Sequence, residues 1–236
     1  QLVNDRLYGG GSEERIRQEL LLGVGGFRAI RALGINADVF HLNEGHAGFL
    51  TLERIRVAMN EQSMSFDEAV EAVRPSMLFT THTPVAAGFD TYRIALLAKY
   101  GSVYAAQIGV EPAALLALGR RYPHDDDEPF NMAYLAARTC SRINAVSRLH
   151  GDVSRRIFSD LYPRWPLPEV PVGHVTNGVH APTFLSNEWN ELFDRFLGPG
   201  WTQRVTDKSC WEGIHTIPDH QFWSVHQSLK AQMLHL

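Results

Sequence analysis

Apolar residues recur at helical spacing near the start of the chain, where Ile16, Leu20, Val24, Phe27, Ile30 and Leu33 share one face. The spacing predicts one helix from Ser12, its N-cap, to Leu33, with Glu13 and Glu14 in the first turn and Gly34 as the stop. The run Asp38–Leu42 then reads as a short buried strand. Phe49, Leu52, Ile55 and Val57 place a second helix over 46–60, and a third over 66–73 ends before Arg74-Pro75. Further strands are expected at 77–81, 142–146 and 174–176, and helices at 94–100, 111–118, 131–140 and 147–161. A Pro-rich loop covers 163–171, and the remainder reads as mostly helical and rich in Trp.

Strands that alternate with helices, and that read as apolar runs, point to a parallel sheet covered on both faces. Their spacing leaves room for right-handed crossovers. The expected fold class is therefore α/β, a doubly wound, mainly parallel, Rossmann-like sheet with helices on both faces.

Composition narrows the function. Of 236 residues 44% are hydrophobic and 20% charged, which fits a globular protein rather than a disordered one. A formal charge of -4 without a basic run argues against a nucleic-acid surface or an anionic-membrane patch. No apolar stretch approaches the ~20 residues of a membrane span, and no signal peptide is visible. Cys140 and Cys210 form no disulfide framework, so a reducing cytoplasm is the expected location. Repeats and low-complexity segments are absent. Gln1 in place of Met, and a last helical pattern (221–236) that runs to the final residue, suggest a piece of a longer protein.

In open parallel sheets ligands bind at the carboxyl ends of the strands. The four expected strands run into Asn43-Glu44-Gly45-His46, Thr81-His82-Thr83-Pro84, Asn144-Ala145-Val146-Ser147 with His150 one turn on, and Thr176-Asn177-Gly178-Val179-His180. Amide, hydroxyl and imidazole groups offer donors and acceptors together, as a ring of sugar hydroxyls requires. Helix capping explains any one of these loops equally well; all four together favour a shared polar site. Other constellations weigh less. His41, Glu44 and His46 lack the HExxH spacing, so no metal is expected. Gly23-Val24-Gly25-Gly26 lies inside a helical pattern and suits close helix packing rather than a dinucleotide. Asp125–Glu128 reads as a solvated loop, and the C-terminal Trp and Phe residues as core rather than sugar platforms. No hydrolase triad can be read.

As a set, these loops resemble the bacterial α-glucan (glycogen, starch, maltodextrin) phosphorylases. The resemblance is carried by Arg6–Gly10, His41–Ala47, Phe79–Pro84, Asn131–Ala136, Val175–Thr183 and Ile217–Asp219, in that order. It implies the GT-B arrangement of two Rossmann-type domains across a cleft. Residues 1–185 would be the latter part of the N-terminal, glucan-binding domain, and 186–236 a helical segment leading toward a C-terminal cofactor domain outside this chain. The implied reaction transfers the terminal glucosyl unit of an α-1,4-glucan to inorganic phosphate, giving glucose 1-phosphate.

Position by position, the resemblance makes His82 and Asn177 contacts to the glucosyl unit, and Asn43, Glu44 and His46 a loop lining the cleft. Ser147 and His150 belong to a motif in which Ala145 stands where the family has glycine. Pyridoxal 5'-phosphate is implied on a lysine outside this chain, so no catalytic or cofactor-binding residue is expected within it and the fragment alone should be inactive. The implied partners are an α-glucan or maltodextrin, phosphate, the C-terminal domain, and a second copy in a homodimer of the longer protein. A glycogen synthase-like GT-B transferase and a non-catalytic glucan-binding module are the competing readings; the Asn-Glu-Gly-His and Thr-Asn-Gly-Val-His loops favour phosphorylase.

Overall fold

The first helical pattern folds as α1 (Ser12–Leu20) and α2 (Gly26–Ala32), joined by a π-helical segment, Leu21–Gly25. The computed structural model describes residues 10–235, apart from the side chain of Val103, so the Arg6–Gly9 part of the first motif lies outside the described residues. The expected single helix is interrupted where Gly23 meets its neighbour: a Cβ there would lie 2.7 Å from the Leu50 backbone nitrogen. The wide turn lets backbone press on backbone. Gly11, not Ser12, is the N-cap, and Leu33 falls past the helix end and is 74% exposed.

Strand β1 (Phe40–Asn43) starts two residues later than expected. Helices α3 (Phe49–Gln62) and α4 (Phe66–Val73) then lead to β2 (Met77–Thr81). Ser65 closes a capping box with Glu68 at the start of α4. The 94–118 region forms α5 (Ile94–Ile108), longer than its pattern suggested, and α6 (Pro112–Leu118). Flanking them is an unanticipated antiparallel ribbon of β3 (Thr91–Tyr92) and β4 (Phe130–Asn131). Next come α7 (Met132–Thr139), capped by Asn131, β5 (Arg142–Ala145) and α8 (Arg148–Phe158), capped by Ser147. Strand β6 covers Val172–His174 rather than 174–176.

The main sheet has the order β1-β2-β5-β6, and every pairing is parallel. Each new strand adds on the same side of the last, so right-handed crossovers place all their helices on one face. The expected α/β fold with a parallel sheet is present, and the described residues contain no reversal of strand order of the kind a doubly wound sheet has. The strands also alternate. Leu42, Phe79, Ile143 and Val172 are buried with Leu50, Ala136, Tyr134 and Phe158 from the helices. His41, Asn43, Arg142 and His174 are exposed, and Leu78 and Asn144 are half-buried. On that face His41 Nε2 meets Thr80 Oγ1 at 2.7 Å, and Asn144 donates to the same oxygen at 3.4 Å.

Phe158 is fully buried among Phe79, Phe89 and Tyr134, with ring centroids 5.6–6.4 Å away. A second apolar cluster lies among α1, α3, α4, α5 and α7. The acidic loop is anchored rather than merely solvated. Glu128 accepts the backbone N–H groups of Arg121 and Tyr122 at 2.9 and 2.8 Å, and Asp126 pairs with the buried Arg120 at 3.0 Å.

The chain divides into two compact units after Asn177. The second unit contains α9 (Ala181–Phe184), α10 (Asn187–Leu197), a 3-10 segment (Lys208–Thr216) and α11 (Asp219–Leu234). Leu197, Trp201 and Cys210 form its core, with Phe193 and Trp211 packed edge-on to Trp201. Those tryptophans are core, as expected, whereas Trp223 and Phe222 are 57% and 44% exposed. Among the described residues no helix is long and apolar enough to cross a membrane.

Candidate functional site

The loops that follow β1, β2, β5 and β6 meet at the carboxyl edge of the sheet because all four strands point the same way. Glu44 ties the first two together. Its backbone N–H donates to the Thr80 carbonyl at 2.8 Å. Its carboxylate Oε2 accepts the N–H groups of His82 (2.7 Å) and Thr83 (3.1 Å) and the Thr83 hydroxyl (3.1 Å). Glu44 has φ 66° and ψ -178°, an extended positive-φ conformation otherwise favoured by glycine that costs an L-residue about 1–3 kcal/mol. The clasp of donors holds it there. Glu44 therefore borders the site while its Oε2 is committed to shaping it.

Above the clasp, His82 is exposed and its Nε2 bonds the Asn43 side-chain oxygen. The third loop is locked from beneath. The Val146 N–H donates to His150 Nδ1 at 3.3 Å, and His150 Nε2 faces the Thr83 carbonyl at 3.1 Å. With Nδ1 accepting, the proton sits on Nε2, which donates to that carbonyl. His150 is buried, and Ser147 accepts its N–H at 3.1 Å as the helix cap. Both residues are thus structural, and for this loop the capping explanation prevails. Ala145 has ordinary backbone angles: among the described residues, the positive-φ residues other than glycine are Glu44, Ser63 and Arg164. The fourth loop is held by the Asn177 N–H, which donates to the Val146 carbonyl at 3.0 Å.

Two hollows open on this edge. The first, about 620 Å³, is lined by Gly10, Arg15, Asn43, Glu44, His46, His82, Thr83, Gly88 and Asp90. The second, about 910 Å³, runs along the polar face of the sheet and includes His41, Asn43, Thr80, His82, Asn144, His174 and Asn177. Asn43 and His82 border both and form the ridge between them. The structure thus brings every sequence-derived site residue to one edge, with Glu44 and His46 on one side of the ridge and Asn177 on the other. Sequence reasoning missed Arg15 and Asp90. The only signal for either was the four-residue spacing of Arg15 and Glu19 on α1.

His46, Asp90, Arg15 and Glu19 form one charged group. The His46 Nδ1 lies 3.0 Å from Asp90 Oδ2, and Arg15 Nη2 lies 2.8 Å from the same oxygen. The bond to Asp90, aided by Glu19, pushes the imidazole up to about 9. Burial raises Glu19 to about 7. Burial also opposes the charge on Asp90, but the hydrogen bonds from His46 and Arg15 outweigh it and hold that carboxyl well below its usual range.

Residues 30–233 match the carbohydrate phosphorylase family. The chain is 40% identical to a glycogen phosphorylase of Mycobacterium tuberculosis, over 98% of this chain and 28% of that protein. It is 41% identical to a maltodextrin phosphorylase of Thermococcus litoralis, over 99% of this chain and 27% of that protein. A glycogen phosphorylase of Aquifex aeolicus is 33% identical over 98% of this chain and 33% of its own length. The chain thus spans about a third or less of the length of these relatives. A parallel sheet with polar loops along one edge, and this likeness along nearly all its length, make the chain a member of the carbohydrate phosphorylase family.

Proposed function

We propose that this chain forms one wall of the glucosyl-binding cleft of an α-1,4-glucan phosphorylase of GT-B architecture, acting in the cytoplasm. The supporting observation is the meeting of Asn43, His82 and Asn177 at one sheet edge, in a chain about 40% identical to glycogen and maltodextrin phosphorylases. In the proposed reaction the bond between the terminal sugar's C1 and the next unit's O4 breaks. A bond from C1 to a phosphate oxygen forms, and the proton lost by phosphate ends on the departing O4.

The chain's own part is binding and orientation. Asn43 and Asn177 hold hydroxyls without adding charge beside a developing oxocarbenium ion, and His82 adds a further polar contact. Fixing the sugar in this way removes orientational freedom from the barrier, and buried polar partners discriminate against analogues that lack the hydroxyls.

Pyridoxal 5'-phosphate belongs to the same proposal; when bound, its phosphate assists proton transfer. Within this reading its lysine lies outside this chain. Lys99 pairs with Glu13, Lys208 and Lys230 lie in the second unit, and none lines either hollow. The cofactor is therefore assigned to polypeptide outside this chain, and the chain alone should release no glucose 1-phosphate. The test uses the full-length protein with maltoheptaose and phosphate. The reading predicts glucose 1-phosphate and a pyridoxal-phosphate adduct by mass spectrometry; a protein with neither contradicts it.

A further inference from the structure

In the wall of the first hollow, one guanidinium nitrogen sits among three side chains drawn from separated parts of the chain. Arg15 Nη2 lies 3.2 Å from Glu19 Oε1, 2.8 Å from Asp90 Oδ2 and 2.9 Å from His46 Nδ1. Those three ligand atoms lie within 4.8 Å of one another, the spacing at which such groups hold a cation. In this chain the guanidinium takes the central position. Glu19 is 1% exposed, and its second oxygen accepts the Tyr92 hydroxyl at 2.8 Å.

The elements joined are α1, the loop after β1 and the turn before β3. His46 itself sits in a 3-10 turn, Gly45–Ala47, that has no side-chain cap. Gly45 packs against α7, where a Cβ would meet Met132 Cβ at 3.1 Å, but that contact does not set the rotation of the imidazole. The charged group does so. Arg15 Nη2 and His46 Nδ1 both lie within hydrogen-bond reach of the Asp90 oxygen, and Glu19 Oε1 lies 3.2 Å from the same guanidinium nitrogen and 3.5 Å from the imidazole Nδ1. Charge-assisted bonds of this kind are shorter and stronger than neutral ones and fix the ring from its Nδ1 side.

We propose that Arg15, Glu19 and Asp90 are positioning residues, which clamp the His46 imidazole so that the Asn43–His46 loop presents a fixed wall to the glucosyl unit. The proposal rests on the reading of this hollow as a sugar site. Its particular content is that glucan recognition depends on residues of α1 and of the turn before β3 acting through His46.

The test compares Asp90→Asn, Arg15→Gln, His46→Ala and the two doubles with His46→Ala in the full-length enzyme. Asp90→Glu, which keeps the charge, serves as the conservative variant. Each single should raise the KM for maltoheptaose about fivefold or more with kcat little changed, as expected for loss of an oriented polar contact. Asp90→Glu should recover most of the loss, and the doubles should be no worse than His46→Ala alone. In selectively 15N-histidine-labelled protein, the His46 titration midpoint should fall in Asp90→Asn. An unmoved midpoint, or doubles whose losses multiply, overturns the clamp. A lowered midpoint with wild-type KM in every variant, His46→Ala included, leaves the clamp standing and removes the sugar reading of the hollow.

Discussion

Glu53 shows at the residue scale how this chain uses buried charge. Its carboxylate is fully buried yet receives Arg28 at 2.7 Å, Arg56 at 2.8 Å and the Tyr104 hydroxyl at 2.6 Å. Burial opposes its charge, but these donors from α2, α3 and α5 prevail and lower it to about 2. Glu53→Gln leaves two guanidinium groups short of an acceptor. The expected loss is about 2 kcal/mol of unfolding free energy, below the range for fully buried pairs because both arginines reach solvent; a denaturant midpoint equal to wild type would contradict it. His46 gives the opposite sign with pH. Its folded value, about 9, lies above its ordinary 6.5, so the folded state holds an extra proton between those limits. Its contribution is complete below pH 6.5 and lost as pH rises through 9. We expect about 1–2 kcal/mol after discounting the ring's partial exposure. Denaturation at pH 6 and pH 9.5, with His46→Gln as the control that flattens this component, measures it.

At the scale of elements, Gly23→Ala separates propensity from packing. Alanine favours a helix over glycine by about 1 kcal/mol, yet its Cβ would stand 2.7 Å from the Leu50 nitrogen at the start of α3. We expect the clash to prevail, with a net loss of about 1–2 kcal/mol by thermal or chemical melting; a stabilised variant would show that the π-helical segment gives way cheaply. The glycine run was legible as a packing site, but the π turn was not, because only contact with α3 demands it. Strand positions were legible within about two residues, since Leu42, Phe79 and Ile143 recur where the chain must bury a face. Their alternation was misread: His41, Thr80 and Asn144 lie among apolar neighbours in sequence but turn to the opposite face. The β3–β4 ribbon, two residues a side, is too short to leave a period.

At the scale of the whole molecule, the strand order explains both what the sequence revealed of the site and what it hid. Four parallel strands adding in one direction bring four loop ends to one edge, so the polar residues just past each apolar run pointed to Asn43, His82 and Asn177. Arg15 lies on α1 and Asp90 at the far end of the connection after β2; their place depends on contacts spanning 31 and 44 positions to His46, which no local pattern encodes. The same order leaves the second face of the sheet polar and open in the first unit, in a chain about a quarter to a third the length of its relatives. The most direct measurement is phosphorolysis of maltoheptaose by the full-length enzyme, wild type against His82→Ala and Asn177→Ala. Loss of a hydrogen bond to the bound sugar, with its partner left unpaired, predicts a fall in kcat/KM of at least about tenfold for each. Both variants matching wild type would contradict the assignment of this edge as the glucosyl-binding wall.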